Sequence, residues 1–374
     1  GMICPHCCLH HMFTRGFPPE DIRQSRALTL ISHADLRYGA LLACLEAIRS
    51  GITTFLDWHA SGLTAYALDT IAEAVLEAGL RAGLAYAVSE RDGLVRAQRA
   101  IEENVRFALR IRGEPRLRAS MGVDASYPLS DDTLRRMVGA AALAGIGYHV
   151  RLPFTPASTR DWLTTRGMRA ATCLRRAGLG GPRSLWVHSL RLAEEELFML
   201  RQGRGFAVQV TEEPVRADGR HADIADLLNR GIAACVGRDG PPTRIFQELR
   251  RAIDMSRVAE SGQRPGMLGA LMDNHAALAS RLFRQTLGVL AVGALADIIL
   301  VRTDELLPIY DDSLPWHLMQ AIGEGSVDAT IVGGRVLMRR RQMVGLDEQV
   351  ILTRARELGS DLWARLGTAQ SPVS

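Results

Sequence analysis

Eight short apolar runs, rich in β-branched residues, recur through the first 240 residues, and most of them end on a polar side chain. The residues at which the runs end are His6, Asp57, Ser89, Asp124, Arg151, His188, Thr211 and Asp239. Stretches rich in Ala, Leu, Arg and Glu, long enough for helices, separate the runs. This alternation predicts parallel strands joined by crossover helices. Eight such units fit a TIM-like (β/α)8 barrel, whose chemistry lies at the C-terminal ends of the strands.

The pattern changes from Gly293 onward. Strand-like segments at 296–301 and 329–332 are followed by Gly333-Gly334, which is typical of a tight hairpin. A final amphipathic helix is predicted for about 347–366. We therefore expect three parts, which are a barrel over 1–290, a small partial β-sandwich over 291–345, and a C-terminal helix within 346–374 that packs on the barrel.

Composition narrows the class of protein without naming a function. The chain has 374 residues, of which 47% are hydrophobic and 23% are charged, as in an ordinary soluble globular protein. The net charge of +4 is small and does not indicate a nucleic-acid partner. The longest basic run, Arg339–Arg341, is interpreted as a solvated turn in preference to a phosphate site. The sequence shows no signal peptide and no membrane-spanning run, so we expect a cytoplasmic protein with no membrane partner.

The chain contains no lysine, so all 45 basic residues are arginines. A GC-rich genome explains this bias, but the bias also has chemical consequences. Schiff-base chemistry on lysine, a carbamylated-lysine metal bridge and a phosphate-loop lysine are all excluded. Cys44, Cys173 and Cys235 stand in apolar contexts, which fits reduced thiols in the core.

Three strand ends carry candidate chemistry. His6 and Cys8 point to the same side of a strand and together could chelate Zn²⁺ or Fe²⁺, although a buried structural cluster is an equal interpretation. His188 follows an apolar strand, where a histidine is more often a core residue than a catalyst. Asp239, between Gly237 and Gly240, is either a carboxylate at the barrel mouth or a turn aspartate. In a closed barrel all of these side chains would converge at one mouth.

This order of residues resembles the amidohydrolase superfamily, in particular its cytosine-deaminase and chlorohydrolase-like branch of aminohydrolases. The family enters strand one as Pro-Gly-hydrophobic-hydrophobic-x-x-His-x-His, and its strand eight ends in Gly-Thr-Asp-Gly. The matching segments here are Gly1–Cys8, Gly237–Gly240, His188 for the strand-six histidine, and the C-terminal elements Gly293–Ile299 and Val332–Val336. The resemblance spans essentially the whole chain.

The resemblance implies one divalent metal, usually Zn²⁺ or Fe²⁺, which acidifies a bound water. In the family, two strand-one histidines, a strand-five histidine and the strand-eight aspartate hold that metal. A glutamate three residues after the strand-five histidine shuttles protons, and the strand-six histidine orients the water or the substrate. Carried over to this chain, His6 and Asp239 are metal candidates, and His188 and Asp239 are catalytic candidates.

The chain departs from the family pattern at the positions that carry the chemistry. Cys8 replaces the second strand-one histidine. The strand-five pattern His-x-His-x-x-Glu aligns with residues 149–154, so Arg151 replaces the metal-binding histidine and Phe154 replaces the glutamate. A guanidinium stays protonated and cannot ligate a cation, and a phenyl ring cannot carry a proton. Asp124 and Thr211 replace further histidines after strands four and seven.

Charge suggests that these changes belong together. Without a metal, Asp239 would lack a counter-ion, and the fixed cation of Arg151 would restore one. We therefore predict an Arg151–Asp239 ion pair with Arg151 at the metal position and Asp124 beside it. His6, Cys8 and Asp239 remain the possible ligands of one Zn or Fe, which we expect not to be bound. Asp57, His59, Asp124 and Arg151 are candidate substrate-binding residues.

Three functional classes follow from these residues. The first is a working metal-dependent hydrolase of small ring compounds. The second is an inactive relative that binds a small anion or heterocycle, with a self-satisfied polar network as the alternative in which nothing binds. The third is a partner subunit of an active paralogue. Family members carry about fifty residues before strand one, which complete the sandwich, so we also expect a half-built sandwich, exposed edge strands and a homodimer.

Overall fold

Eight parallel strands follow one another around a barrel in chain order, as the sequence predicted. A computed structural model describes residues 1–16, 22–189, 192–211, 224–258, 266–303, 308–310, 313–314, 317–318 and 322–368. The barrel strands are β1 (Met2–Cys7), β2 (Ile52–His59), β3 (Arg81–Val88), β4 (Leu117–Asp124), β5 (Gly147–Arg151), β6 (Leu185–Val187), β7 (Phe206–Val210) and β8 (Ala233–Gly237). Two backbone hydrogen bonds join β8 to β1, from Arg238 N to His6 O (3.0 Å) and from Cys8 N to Gly240 O (2.8 Å).

Helices cover the outside of the barrel, which explains why most of its strands are apolar along their whole length. The helices are α1 (Ile22–Thr29), α2 (His33–Arg49), α3 (Ala67–Ala78), α4 (Leu94–Arg110), α5 (Asp131–Ala144), α6 (Pro156–Arg166), α7 (Ala170–Arg176), α8 (Glu194–Gly203), α9 (Ile224–Asn229), α10 (Ile245–Val258) and α11 (Met267–Phe283). Helix α5 begins where the sequence predicted, because the Ser130 side chain accepts a hydrogen bond from Thr133 N at 3.3 Å. The segment between β1 and α2 contains helix α1, which ends at Thr29.

A four-stranded antiparallel sheet lies outside the barrel, in the order β12-β11-β10-β9. Its strands are β9 (Ile298–Val301), β10 (Val327–Val332), β11 (Arg335–Arg339) and β12 (Gln342–Met343). The predicted hairpin between β10 and β11 is present, and Gly333 and Gly334 have φ angles of 55° and 81°, which a two-residue turn of this type requires.

An ion pair ties this sheet to the bottom of the barrel. The Arg81 guanidinium in β3 donates to both carboxylate oxygens of Asp297 at 3.2 Å, and each side chain is only 3% exposed. Asp297 Oδ1 also accepts from Gly333 N at 2.7 Å, and Thr330 Oγ1 donates to Ile48 O at 2.8 Å. The sheet is therefore attached to the barrel by buried polar contacts.

The last helix, α12 (Glu348–Thr368), lies against α2. Arg365 forms an ion pair with Asp35 at 2.6 Å, and Trp363 Nε1 donates to Phe13 O at 3.0 Å. No helix in the described ranges is both long and apolar enough to cross a bilayer.

Candidate active site

Three strands place a carboxylate, an imidazole and a guanidinium together at the mouth of the barrel. Asp239, two residues beyond β8, accepts from His6 Nε2 on Oδ1 at 2.9 Å and from Arg151 on Oδ2 at 2.8 Å. His6 belongs to β1, and Arg151 is the last residue of β5. The Arg151–Asp239 ion pair expected from charge is therefore present in the structure.

His149 supports this cluster from below. Its Nε2 lies 2.9 Å from His6 Nδ1, and both rings are buried. Since the Asp239 carboxylate only accepts, His6 Nε2 carries the proton, and Nδ1 accepts from His149 Nε2–H. Burial lowers the pKa of His6 and that of His149 well below its ordinary value, so both rings are neutral. The chain His149–His6–Asp239 is thus fully hydrogen-bonded by protein atoms.

Aromatic rings hold Arg151 on two sides. Its guanidinium carbon lies 4.7 Å from the ring centroid of Phe154 and 5.4 Å from that of Trp58. Phe154 also stacks on His188, with ring centroids 4.9 Å apart and planes inclined by 29°. His188 Nε2 in turn lies 3.3 Å from Asp239 Oδ2. Phe154, at the position of the family's glutamate, is therefore a packing residue between the arginine and the strand-six histidine.

The pair is ionised at neutral pH. Burial alone would raise the pKa of Asp239, but Arg151 and then His188 outweigh it and hold this pKa well below its ordinary value. Burial alone would lower the pKa of Arg151, but Asp239 and Asp124 raise it. Since the two side chains are 20% and 21% exposed, the opposite charges lie largely out of water and neutralise each other.

Cys8 faces the same cluster, with Sγ 3.8 Å from His6 Nε2. Burial raises the pKa of this thiol well above its ordinary value, so the sulfur is protonated. His6, Cys8 and Asp239 are the described residues that come close enough to share a metal, since their donor atoms all lie within 4.8 Å of one another. The spacing of the donors thus fits one divalent ion, but the charge does not, because the guanidinium of Arg151 already occupies Asp239.

The other candidate residues, Asp57, His59 and Asp124, have different surroundings. Asp57 is fully buried and accepts from Leu9 N at 2.8 Å, and burial raises its pKa to about 7. His59 Nε2 lies 2.8 Å from Ser61 Oγ, and burial lowers the pKa of this histidine to about 3. Asp57 and His59 are thus enclosed by the protein.

Asp124 lines a cavity of about 220 Å³ at the C-terminal ends of β2, β3 and β4. Other lining residues include Ser61, Tyr86, Ser89, Arg91 and Arg96. Asp124 itself is half-buried and accepts from Ser126 N at 3.0 Å. This cavity offers carboxylate, hydroxyl and guanidinium groups beside an aromatic ring, which is the composition of a site for a small polar ring compound.

Thr211, one residue beyond β7, has its side-chain partner in α10. Its hydroxyl donates to the buried carboxylate of Glu248 in α10. Trp58 and His149 are the two contributors that the sequence did not identify. Two signals pointed to His149: it matches the first histidine of the family's strand-five pattern, and strand alternation places residues 149 and 151 on the same side of β5.

Comparison with known proteins identifies the family. A model of the Amidohydrolase family matches residues 1–337. A 5-methylthioadenosine/S-adenosylhomocysteine deaminase of Desulforudis audaxviator (strain MP104C) is 29% identical over 340 residues, covering 87% of this chain and 76% of the relative. A 5'-deoxyadenosine deaminase of Methanosarcina mazei is 28% identical over 346 residues, covering 89% of this chain and 77% of the relative.

Solved structures agree on the fold. A zinc-bound adenosine deaminase from Xanthomonas campestris superposes with a TM-score of 0.84 at 18% identity, covering 97% of this chain and 85% of the other. An atrazine chlorohydrolase from Arthrobacter aurescens TC1 in complex with zinc gives a TM-score of 0.78 at 19% identity, covering 96% and 87%. The match of the family model over nine-tenths of the length establishes that this chain belongs to the amidohydrolase family.

Proposed function

We propose that this chain binds a small heterocyclic molecule at the barrel mouth and that the Arg151–Asp239 ion pair has taken the place of the family's metal. The observation that carries the proposal is the 2.8 Å contact between the Arg151 guanidinium and Asp239 Oδ2. In this contact the guanidinium is the counter-ion of the Asp239 carboxylate, so that no divalent metal ion is needed to balance its charge. The names of the relatives, which are deaminases of adenosine-type compounds, support a nucleoside-like ring as the ligand.

Hydrolytic removal of an amino group needs an activated water and a group that delivers a proton to the leaving nitrogen. Asp239 is held as a carboxylate by Arg151, which weakens it as a base, since its pKa is far below neutral. In the alignment with the family, Phe154 stands at the position of the glutamate that would deliver this proton, and a phenyl ring has no proton to deliver. The described groups around Asp239 therefore support binding of a ring compound better than its hydrolysis.

The ligand would occupy the 220 Å³ cavity lined by Asp124, which pairs in strand register with Arg151. An exocyclic amino group would donate to the half-buried carboxylate of Asp124, while ring nitrogens and ribose hydroxyls would pair with Ser61, Ser89 or Arg91. The Tyr86 ring supplies an apolar surface for the base. This arrangement uses side chains at the C-terminal strand ends, where barrel proteins bind their ligands.

The experiment titrates purified, chelator-treated protein with adenosine and with 5'-deoxyadenosine by calorimetry, and follows ammonia release with and without added zinc. We expect saturable binding without ammonia release. Asp124→Asn should weaken binding roughly tenfold, as expected for loss of a hydrogen bond to a charged group. The matched control is Asp132→Asn on the surface of α5, which should leave the affinity unchanged. Zinc-dependent ammonia release would overturn the proposal.

A second candidate, a metal-dependent hydrolase, is favoured by the spacing of His6, Cys8 and Asp239. A divalent ion there would supply a Lewis acid that activates water. In that case the purified protein would contain about one zinc or iron per chain, and Cys8→Ala would remove it. Metal analysis of wild type and Cys8→Ala therefore distinguishes the metal-dependent hydrolase from the metal-free binding protein.

A further inference from the structure

A second polar cavity, of about 690 Å³, lies on the outside of the barrel near the C-terminal sheet. Five arginines line it, and they are Arg15, Arg49, Arg238, Arg244 and Arg341. The acidic residues of its wall are Glu46 and Glu324. We call this surface the arginine groove. It lies outside the strand-end cluster around Asp239, and none of its residues has a part in the proposed function.

Three of the five arginines have carboxylate partners. Arg15 contacts Glu46 at 2.7 Å, Arg49 contacts Glu348 at 2.5 Å, and Arg238 lies 3.9 Å from the buried Glu248. These pairs contribute little net charge to the groove. The positive charge of the groove therefore comes from the other two arginines, Arg244 and Arg341.

Arg341 is held in place without being neutralised. Its NH1 donates to the backbone carbonyl oxygens of Glu324 (3.2 Å), Gly325 (3.1 Å) and Val327 (2.9 Å). Carbonyl oxygens orient a guanidinium but leave its full positive charge, and Nε and NH2 remain available as donors. The sequence suggested that Arg339–Arg341 is a solvated turn. Arg339 and Arg340 are indeed exposed, whereas Arg341 is half-buried and lines the groove.

Arg244 is exposed and immediately precedes α10. Within the described ranges it forms no ion pair with a carboxylate. The first turn of α10 adds further donors, and one of them, Gln247 N, donates to the carboxylate oxygen Oε1 of Glu324 at 3.3 Å. The groove wall therefore holds one carboxylate of the protein itself, Glu324, and the guanidinium groups of Arg244 and Arg341 leave the groove with a net positive charge.

From these contacts we infer that the arginine groove is a binding site for a phosphoryl ligand with at least two negative charges. Among the described residues, Arg244 and Arg341 form no ion pair with a carboxylate, so each guanidinium can pair with one negative charge of such a ligand, and planar guanidinium forks match phosphate oxygens in geometry. Pyrophosphate, the diphosphate of a nucleotide and a phosphorylated lipid headgroup share this chemistry.

The test measures binding of inorganic phosphate, pyrophosphate and ADP in separate titrations of the full-length protein, by calorimetry and thermal shift at constant ionic strength set with chloride. Vesicles that contain phosphatidic acid form the lipid arm. We expect saturable binding of pyrophosphate or ADP, and Arg244→Gln should weaken it roughly tenfold or more. Arg341→Lys keeps the charge but loses the fork, and it should also weaken binding.

The control is Arg135→Gln, which removes an exposed arginine from α5 that does not line the groove. It should change the affinity by less than about twofold. Equal weakening by Arg135→Gln and Arg244→Gln would show only general attraction to a basic surface and would overturn the assignment. So would an absence of saturable binding to all of these ligands, whereas Arg244-dependent binding to vesicles alone would identify a lipid headgroup as the source of the phosphoryl group. A saturable site that depends on Arg244 and Arg341 supports the assignment.

Discussion

Replacing Arg151 by methionine tests the electrostatic account of the barrel mouth. Methionine can fill the space between Trp58 and Phe154, but it leaves the Asp239 carboxylate without its cation. Removing one partner of a buried ion pair costs about 3–5 kcal/mol. Because each side chain here is about one-fifth exposed, we expect the lower end of this range, about 3 kcal/mol.

The corresponding change in melting temperature follows from the size of the chain. An unfolding entropy of roughly 2.1 cal/mol/K per residue gives about 0.8 kcal/mol/K for 374 residues, and therefore a decrease in Tm of about 4 °C.

The effect should depend on pH in a defined direction. The pKa of Asp239 is lowered in the folded protein, so its contribution to stability is present above the ordinary carboxyl pKa and is lost as pH falls through the lowered value. Without Arg151, burial raises this pKa, and the carboxyl group can take up a proton. The difference in unfolding free energy between wild type and Arg151→Met should therefore be largest at neutral pH. It should narrow as pH falls through the raised pKa of the variant and on toward the lowered pKa of the wild type.

Chemical denaturation of both proteins in the presence of a chelator measures this difference. A double-mutant cycle with Asp239→Asn provides the control, since the double variant carries no stranded charge. We expect the double variant to be more stable than the sum of the two single effects predicts, by at least about 1 kcal/mol. Strict additivity, or a difference that does not vary with pH, would refute the idea that Arg151 serves as the counter-ion of Asp239.

Three further outcomes are expected. The double variant Cys8→His/Arg151→His should bind about one zinc per chain after dialysis, measured by elemental analysis, whereas a Cys8→His/Arg151→Lys control should not; equal zinc in wild type would contradict this. Burial raises the pKa of Asp57 to about 7, so the charge of Asp57 disfavours folding increasingly as pH rises from about 4 to 7. The stability of Asp57→Asn relative to wild type should therefore increase between pH 5 and pH 8. A difference in denaturation midpoint that is the same at pH 5 and at pH 8 would count against this prediction. Arg81→Met should lower the free energy of unfolding by about 3 kcal/mol, because it leaves the buried carboxylate of Asp297 without its counter-ion. The control Arg302→Met, at an exposed ion pair, should lower it by about 0.5 kcal/mol or less, and thermal melts of both variants measure the difference.

Strand ends were the part of the fold that the sequence specified best. An apolar run that stops on a polar residue has a local cause, so the ends at Asp124, Arg151 and Gly237 are found near their expected places. Strand β6 is shorter than predicted because His188 has a φ of 62°, which an extended strand cannot accommodate. Such a backbone angle is imposed by neighbouring elements and leaves no trace in an apolar pattern.

The ion pair could be anticipated because charge balance is a property of residue types. The placement of Trp58 and His149 could not, because it depends on how neighbouring strands are staggered. Arg151 pairs in register with Asp124 on one side and Val187 on the other, and this stagger brings the guanidinium level with Asp239. Nothing along a single strand encodes that alignment. Boundaries between the proposed domains at 290 and 345 remain predictions.

The aromatic enclosure of Arg151 makes the altered site resistant to reversal. A change of residue 151 alone to histidine would leave a gap between Trp58 and Phe154 and an uncompensated Asp239. A change of residue 154 alone to glutamate would bring a second negative charge toward the first and remove the ring that packs on His188. Each of these single substitutions is thus expected to lower stability relative to the present arrangement, because the rings of Trp58 and Phe154 and the charge of Arg151 depend on one another.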